Sequence, residues 1–395
     1  MTGTAGVSDP TAAQARYTRE AALTVDLDAV ATNTRLFSLT SGAVMAVVKG
    51  DGYGLGAAAV ARTALASGAV SLAVSSVSEG LTLRRAGLSA PVLSMLNPVG
   101  TDFGPALRAG IELAVPSMAH LRAAERAAER DETRARVHLF LDVSRDGDGA
   151  DRAEWPRLCR AAWRAQLRGT IRVIGVMGHL ACADVPADPC NETGRAMFSW
   201  GVMIAHKAGL RPGVRHLAAT AAAITDPRNH HSVCRVGSGL AGIDPSRTAS
   251  LRQPLTLTAP IVTVRHVSAR ELAGSGHTWT AQTTANLGVL PVGYTSGLPR
   301  AASGWAHVMI RGRRCRVAGL ISANQTVIDL GDTPGRPGDI ATIFGPGEDG
   351  EPTLSDWATW AGTVEQEITS SVGAQVRRHF TGANRVAAGS PGRAA

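Results

Sequence analysis

The chain has 395 residues, 44% hydrophobic and 18% charged, which is long for one domain and rich enough in apolar residues for sizeable cores. Its net charge of +8 comes from basic residues spread along the chain, and with aromatics at 4% and no helix-turn-helix or finger spacing it does not read as a nucleic-acid binder. The first twenty residues, MTGTAGVSDPTAAQARYTRE, lack the apolar core of a signal peptide, and no apolar run reaches membrane-spanning length, so a cytoplasmic setting without membrane contact is expected.

Residues 1–20 read as an N-terminal segment. From 21 to 247, short β-rich runs alternate with alanine-rich helical stretches such as Met118–Glu129 and Arg152–Ala165. Strands are predicted at Val44–Val48, Val70–Val74, Pro91–Met95, Ile111–Val115, Val137–Leu141, Arg172–Met177, Val214–Ala218 and Ser232–Val236. This alternation predicts an α/β fold, a (β/α)8 TIM-like barrel rather than an open sheet. Residues 248–382 change texture. Runs at Thr256–Val267, Leu287–Tyr294, His307–Ile310, Arg316–Ile321, Thr326–Leu330 and Asp339–Phe344, separated by Gly/Pro turns, predict a mainly β C-terminal domain. A helical segment near Asp356–Arg378 closes it, and the tail 383–395 is expected to be disordered.

Among the 40 basic residues only Lys49 and Lys207 are lysines. Lys207 reads as an ordinary helix-end residue. Lys49 ends the apolar run AVMAVVK, where a charge is costly to bury and where lysine, unlike arginine, can become a neutral amine. In a barrel this strand end lies at the mouth, where the chemistry sits. The following GDGYGLG lets backbone approach a ligand, but it is no Rossmann fingerprint because Leu55 stands where a glycine is needed. The loops after the seventh and eighth strands, Ala219-Thr220 and Arg235-Val236-Gly237-Ser238-Gly239, offer a hydroxyl and glycine-flanked amides for a phosphate. The five cysteines, Cys159, Cys182, Cys190, Cys234 and Cys315, fit neither a disulfide framework nor a zinc pattern, so no metal is expected.

AVVKGDGYGLG resembles the pyridoxal-phosphate lysine motif of the alanine racemase family, a group of fold-type III enzymes. The likeness continues through GVMGHLACAD, RHLAATAAAI, CRVGSGLAGIDPS, TWTAQT, LPVGYTSGLPR and GLISANQTVIDL, over roughly residues 22–380. The resemblance implies that Lys49 carries pyridoxal 5'-phosphate as a Schiff base and that Tyr53, Thr220, Gly237 and Ser238 seat the phosphate. It places Arg235 against the pyridine nitrogen and Tyr294 at the entrance. It implies a homodimer whose active site is shared between subunits, acting on a small amino-acid substrate.

The chain departs from the family where its second base should stand. The tyrosine position falls on Ser275, in AGSGHTWTA, and serine is a poor base. The supporting arginine falls on Gly147, the carbamylated-lysine position on Phe140, the substrate-carboxylate pair on Ala323-Asn324, and a C-terminal phosphate tyrosine on Ala374. His179 matches the histidine that backs the tyrosine. It can serve as a general base on a β-hydroxyl, or be a buried histidine satisfied by a carbonyl. The leading expectation is therefore a pyridoxal-phosphate enzyme acting at Cα through Lys49, diverged to aldol-type C–C chemistry on a β-hydroxy or bulkier amino acid. The alternative is a racemase or epimerase whose second base is His179, His277 or a water held by Ser275. A decarboxylase and a non-catalytic cofactor carrier stand behind these. His277 otherwise reads as solvated, and His230 and His231 as loop residues.

Overall fold

A computed structural model describes residues 20–332 and 334–382. Residues 1–19 and the tail 383–395 lie outside the described residues. Contacts divide the chain into two compact units: a β unit holding Asp26, the described residues before it and Gln253–Thr381, and a second unit built on Leu27–Arg252.

The first strand, β1 (Ala22–Asp26), belongs to the β unit. The second unit holds β2 (Val44–Val47), β3 (Ala69–Val74), β4 (Val92–Ser94), β5 (Ile111–Val115), β6 (Ala135–Phe140), β7 (Ile171–Met177), β8 (Val214–His216) and β9 (Cys234–Val236). All are parallel, in the order β8-β7-β6-β5-β4-β3-β2-β9. The two edges of this sheet also meet. Ser232 N donates to Arg215 O and Arg235 N to Ala218 O, each at 2.9 Å, which brings the β8 edge to β9 and rounds the sheet into a barrel.

Strands such as β2 and β5 are buried at every position, as expected when helices cover one face and a packed interior the other. That interior is filled by Met45, Val47, Ala73, Leu93, Ala114, Phe140, Met177 and Val233. Phe140 thus packs among apolar side chains at the place where the resemblance puts a modified lysine. The helices begin on chemistry the sequence supplies. Ser76 and Glu79 form a capping box ahead of Val77–Arg85, Ser117 caps Met118–Arg130, and Asp188 caps Pro189–Lys207.

The β unit contains β10 (Leu255–Pro260), β11 (Thr263–Val267), β12 (Leu272–Ala273), β13 (Trp279–Thr280), β14 (Ala285–Leu290), β15 (His307–Ile310), β16 (Arg313–Val317), β17 (Thr326–Gly331), β18 (Ile340–Phe344) and β19 (Arg377–Thr381). Nine strands form one sheet in the order β11-β14-β17-β16-β15-β18-β10-β1-β19, and β12 and β13 form a separate hairpin. Three sequence expectations change here. Residues 22–26, expected inside the barrel domain that starts at 21, pair with β10 and β19 instead. The single strand expected over Thr256–Val267 breaks at Ile261-Val262, where both amides bond outside the strand ladders. The closing helix near Asp356–Arg378 is two short helices, Leu354–Ala361 and Glu365–Ser371, followed by β19; the first stops at Gly362, which holds a left-handed conformation. Among the described residues no helix is long and apolar enough to cross a membrane.

The loop from Asp142 to Gly149 closes on itself over the end of β6. Ala150 N donates to Phe140 O at 2.8 Å and Asp142 N to Ala150 O at 3.0 Å. Gly149 lies so close to this crossing that a Cβ would sit 2.5 Å from Asp142 N and 2.6 Å from the Leu141 carbonyl carbon. Gly149→Ala should therefore lower stability by at least about 2 kcal/mol in denaturant unfolding, since backbone has to move. Gly213→Ala, where nothing lies within 4 Å, should stay within about 0.5 kcal/mol of the parent.

Candidate active site

Lys49 follows β2 by two residues, and the chain then enters a left-handed turn. Gly50, Asp51, Gly52 and Tyr53 have φ of 59°, 53°, 66° and 58°. For the two non-glycine residues this conformation costs roughly 1–2 kcal/mol each. Side chains hold it in place. Glu79 accepts Gly50 N at 2.8 Å and, through its other oxygen, Ser75 N at 2.7 Å; Asp51 accepts Ala57 N at 2.8 Å. The turn brings Tyr53 back beside the lysine, with Lys49 Nζ 6.0 Å from the ring centroid. It also seats the phenol against Gly237, where a Cβ would lie 2.3 Å from the hydroxyl. Burial pushes the Tyr53 phenol up to about 12, so it is a hydrogen-bond donor at neutral pH.

Lys49 and Tyr53 open onto a cavity of about 410 Å³ that also takes in Asp148, His179, Arg235 and Ser238. Thr220 Oγ1 lies 3.3 Å from Gly237 N and 3.2 Å from Gly239 N. At this end, hydroxyls and backbone amides crowd around a glycine that no side chain could replace. Such a cradle suits a phosphate.

The opposite feature is a buried cation. Arg235 is 4% exposed and has no carboxylate as hydrogen-bond partner among the described residues. Its Nη1 donates to His216 Nδ1 and His216 O, both at 3.0 Å, and its Nη2 to Gly178 O at 2.7 Å and Leu217 O at 3.3 Å. Burial pulls its guanidinium down to about 10, which leaves it charged at neutral pH.

From Arg235 a chain of hydrogen bonds runs across the barrel: His216 Nε2 to His138 Nδ1 at 2.9 Å, then His138 Nε2 to Glu112 at 2.8 Å. Arginine has only donors, so His216 Nδ1 must accept; burial and the neighbouring guanidinium hold His216 well below its ordinary value, and it is neutral. Its proton is therefore on Nε2 and is donated to His138, whose own proton is on Nε2 and is donated to Glu112. Burial raises the Glu112 carboxyl, but the His138 hydrogen bond and the Arg136 ion pair outweigh it and hold the group below the usual carboxylate range. Gly175 makes room for the crossing, since a Cβ there would meet His138 Nδ1 at 2.4 Å.

His179 lines the cavity beside Arg235, with Nδ1 3.4 Å from Nη2. Burial first, then the charges of Arg235 and Lys49, push its imidazole down to about 4. Facing a donor on Nδ1 and neutral at pH 7, His179 presents an N–H from Nε2.

The chain matches the model of the alanine racemase N-terminal domain over residues 25–245 and that of the C-terminal domain over residues 254–380. It belongs to the alanine racemase family. The alanine racemase of Salinispora tropica is 41% identical over 367 residues, covering 92% of this chain and 99% of that relative. The crystal structure of the alanine racemase of a D-cycloserine-producing Streptomyces lavendulae superposes with a TM-score of 0.90 at 35% identity, covering 92% and 97% of the two chains. The fold is shared by the Bartonella henselae alanine racemase with covalently bound pyridoxal phosphate, at a TM-score of 0.83 and 20% identity, over 92% and 99%.

Of the residues that the alanine racemase resemblance singled out, Lys49, Tyr53, His179, Thr220, Arg235, Gly237 and Ser238 share the one cavity. Tyr294, Ala323 and Asn324 meet within the β unit: Tyr294 N donates to Ser322 O, and Thr295 bonds Ala323 O and Asn324 Oδ1. Tyr294 lies in a 3₁₀ turn rather than at the end of the strand expected over Leu287–Tyr294, and is 48% exposed. Ser275 bridges Leu320 and is half-buried, while His277 is exposed in the turn between β12 and β13. Gly147 and Ala374 are exposed turn residues. His230 bonds Ala223 O, and His231 packs on Phe198.

The sequence reading missed Glu112, His138 and His216. The signal was a polar residue in each of the strand segments IELAV, RVHLF and VRH, where a buried polar group demands a partner. It also missed Asp148. Burial, together with Asp142 and Asp146, pushes this carboxyl up to about 6 against the pull of Arg235. A folded-state value above the unfolded one means that the ionised group works against folding at neutral pH. Asp148→Asn should thus raise the thermal midpoint at pH 7, and the gain should shrink as pH falls through about 6 and vanish below about 4. A gain independent of pH would contradict this assignment.

Proposed function

We propose that this enzyme of the alanine racemase family is a pyridoxal-phosphate-dependent amino-acid racemase or epimerase, with Lys49 as cofactor anchor and as one of its two proton-transfer groups. The observation that carries the proposal is Arg235, a donor that stays protonated and has no carboxylate hydrogen-bonded to it among the described residues, set in the same cavity as the Lys49 amine and a phosphate cradle. Pyridoxal phosphate, when bound, supplies an electron sink beside Cα and so acidifies the Cα–H bond.

The chain's own residues divide the remaining work. Tyr53 and Thr220 would offer hydroxyls to the phosphate, with Gly237, whose amide is bonded to Thr220 Oγ1, leaving room for it and Ser238 lining the same end. Arg235 would face the ring nitrogen as a donor that keeps its own proton, and would thereby limit the negative charge the ring could take. The Lys49 amine takes and returns the Cα proton on its own face. The homodimer remains part of this proposal, with the β unit of a second copy completing each site.

His179 weighs against the aldol reading. That chemistry asks it to accept a proton from a β-hydroxyl, yet its free nitrogen already carries one and its imidazole is held at about 4. The same facts remove it as the second racemisation base. The candidates that remain are His277 and a water held at Ser275, because a serine hydroxyl alone is not basic at neutral pH.

In deuterated solvent, the protein should place deuterium at Cα starting from either enantiomer of alanine. Lys49→Ala should slow that exchange by about a thousandfold. Exchange from one enantiomer only, together with aldehyde release from a β-hydroxy amino acid, would restore the aldol reading.

A further inference from the structure

Between β7 and the helix Pro189–Lys207 the chain gathers three potential metal ligands that no sequence spacing announced. Cys182 Sγ, a carboxylate oxygen of Asp188 and Cys190 Sγ all lie within 4.8 Å of one another. We propose that Cys182, Asp188 and Cys190 form a zinc(II) site, with water as the fourth ligand. The proposal is independent of the reaction assigned above.

Donor chemistry selects the metal. Two thiolates and one carboxylate suit zinc, whereas calcium and magnesium take oxygen ligands. Two sulfurs on one tetrahedral zinc, each about 2.3 Å from the metal, sit roughly 3.7 Å apart, so the three donors need only a small inward movement. Binding is a simple exchange: zinc(II) takes the place of two thiol protons, which go to solvent, and no oxidant or reductant is involved.

The backbone around the donors is built to hold them. Asn191, 5% exposed, donates through Nδ2 to Cys182 O at 3.1 Å and to Val185 O at 3.0 Å. Val185 N returns a bond to Cys182 O and Asp188 N one to Val185 O, both at 3.0 Å, so two linked turns fix the spacing from Cys182 to Asp188. Asp188 Oδ1 caps Cys190 N at 2.8 Å, which leaves its other oxygen for a metal. Cys190 lies in the first turn of a 19-residue helix, and its thiol is in hydrogen-bond contact with that of Cys182. Leu180, Ala181, Ala183 and Asp184, which flank Cys182, line the Lys49 cavity, so a bound zinc would brace the rim of that cavity.

The other three cysteines are buried, so a thiol reagent added to the folded protein reads Cys182 and Cys190. Full-length protein loaded with zinc and then dialysed should keep one zinc per chain and shield both of these thiols, and removing the metal should expose them. Cys182→Ser and Cys190→Ser should each lose the zinc. Asp188→Asn keeps the helix cap, since Asn and Asp cap alike, and should weaken zinc by at least about tenfold. Protein that dialyses free of zinc with both thiols still reactive would overturn the site. So would variants that bind as tightly as the parent, or a Cys182–Cys190 disulfide found by mass in the purified protein. The shielding measurement needs no variant, so a substitution that fails to fold leaves the test intact.

Discussion

A guanidinium sealed inside a barrel, with no carboxylate hydrogen-bonded to it among the described residues, constrains everything around it. A buried charge demands compensation, and Arg235 finds it in three backbone carbonyls and two imidazoles, those of His216 and His179. Two of those carbonyls, of His216 and Leu217, come from the end of β8 and its loop, and the third, of Gly178, follows β7. The charge therefore fixes two strand ends, those of β7 and β8, relative to β9, and the His216 imidazole beside it is held in one tautomer. Because each ring nitrogen then has a single role, the direction of the hydrogen bonds is transmitted from Arg235 to Glu112 without any group changing protonation.

The second constraint lies across the cavity, in the left-handed turn after Lys49. A lysine at the end of a buried strand could simply extend into solvent. Here Glu79 and Asp51 tie the turn to neighbouring backbone and direct the Tyr53 hydroxyl at Gly237. Anchor amine and phosphate end are thus set by one short segment and the β9 loop, with the Arg235 cation on the same strand as that loop. Glycine leaves room for the Tyr53 hydroxyl at Gly237 and for the His138 ring at Gly175.

Much of this was legible in the sequence where a residue has a local physical reason. Alternating apolar runs marked all eight barrel strands, and a lysine in a chain dominated by arginine marked the amine. Elements whose reason is distant were not legible. The strand β1 pairs with residues more than two hundred positions away, and its alternation lasts only five residues before a helix begins. Glu112, His138 and His216 come from three separate strands, so no spacing links them. Cys182 and Cys190 meet only because the linked turns on Asn191 fold the intervening residues back. His179 was visible as a residue but not as a chemical species, since its charge state depends on Arg235 and on burial.

The account stands on Arg235 keeping its proton and thereby setting the His216 imidazole. Nitrogen-15 NMR of histidine-labelled protein tests this directly by reading the protonation of each ring nitrogen. His216 should be neutral, protonated on Nε2, and unchanged between pH 6 and pH 9. A proton on His216 Nδ1, or an imidazolium at that position in that range, would contradict it.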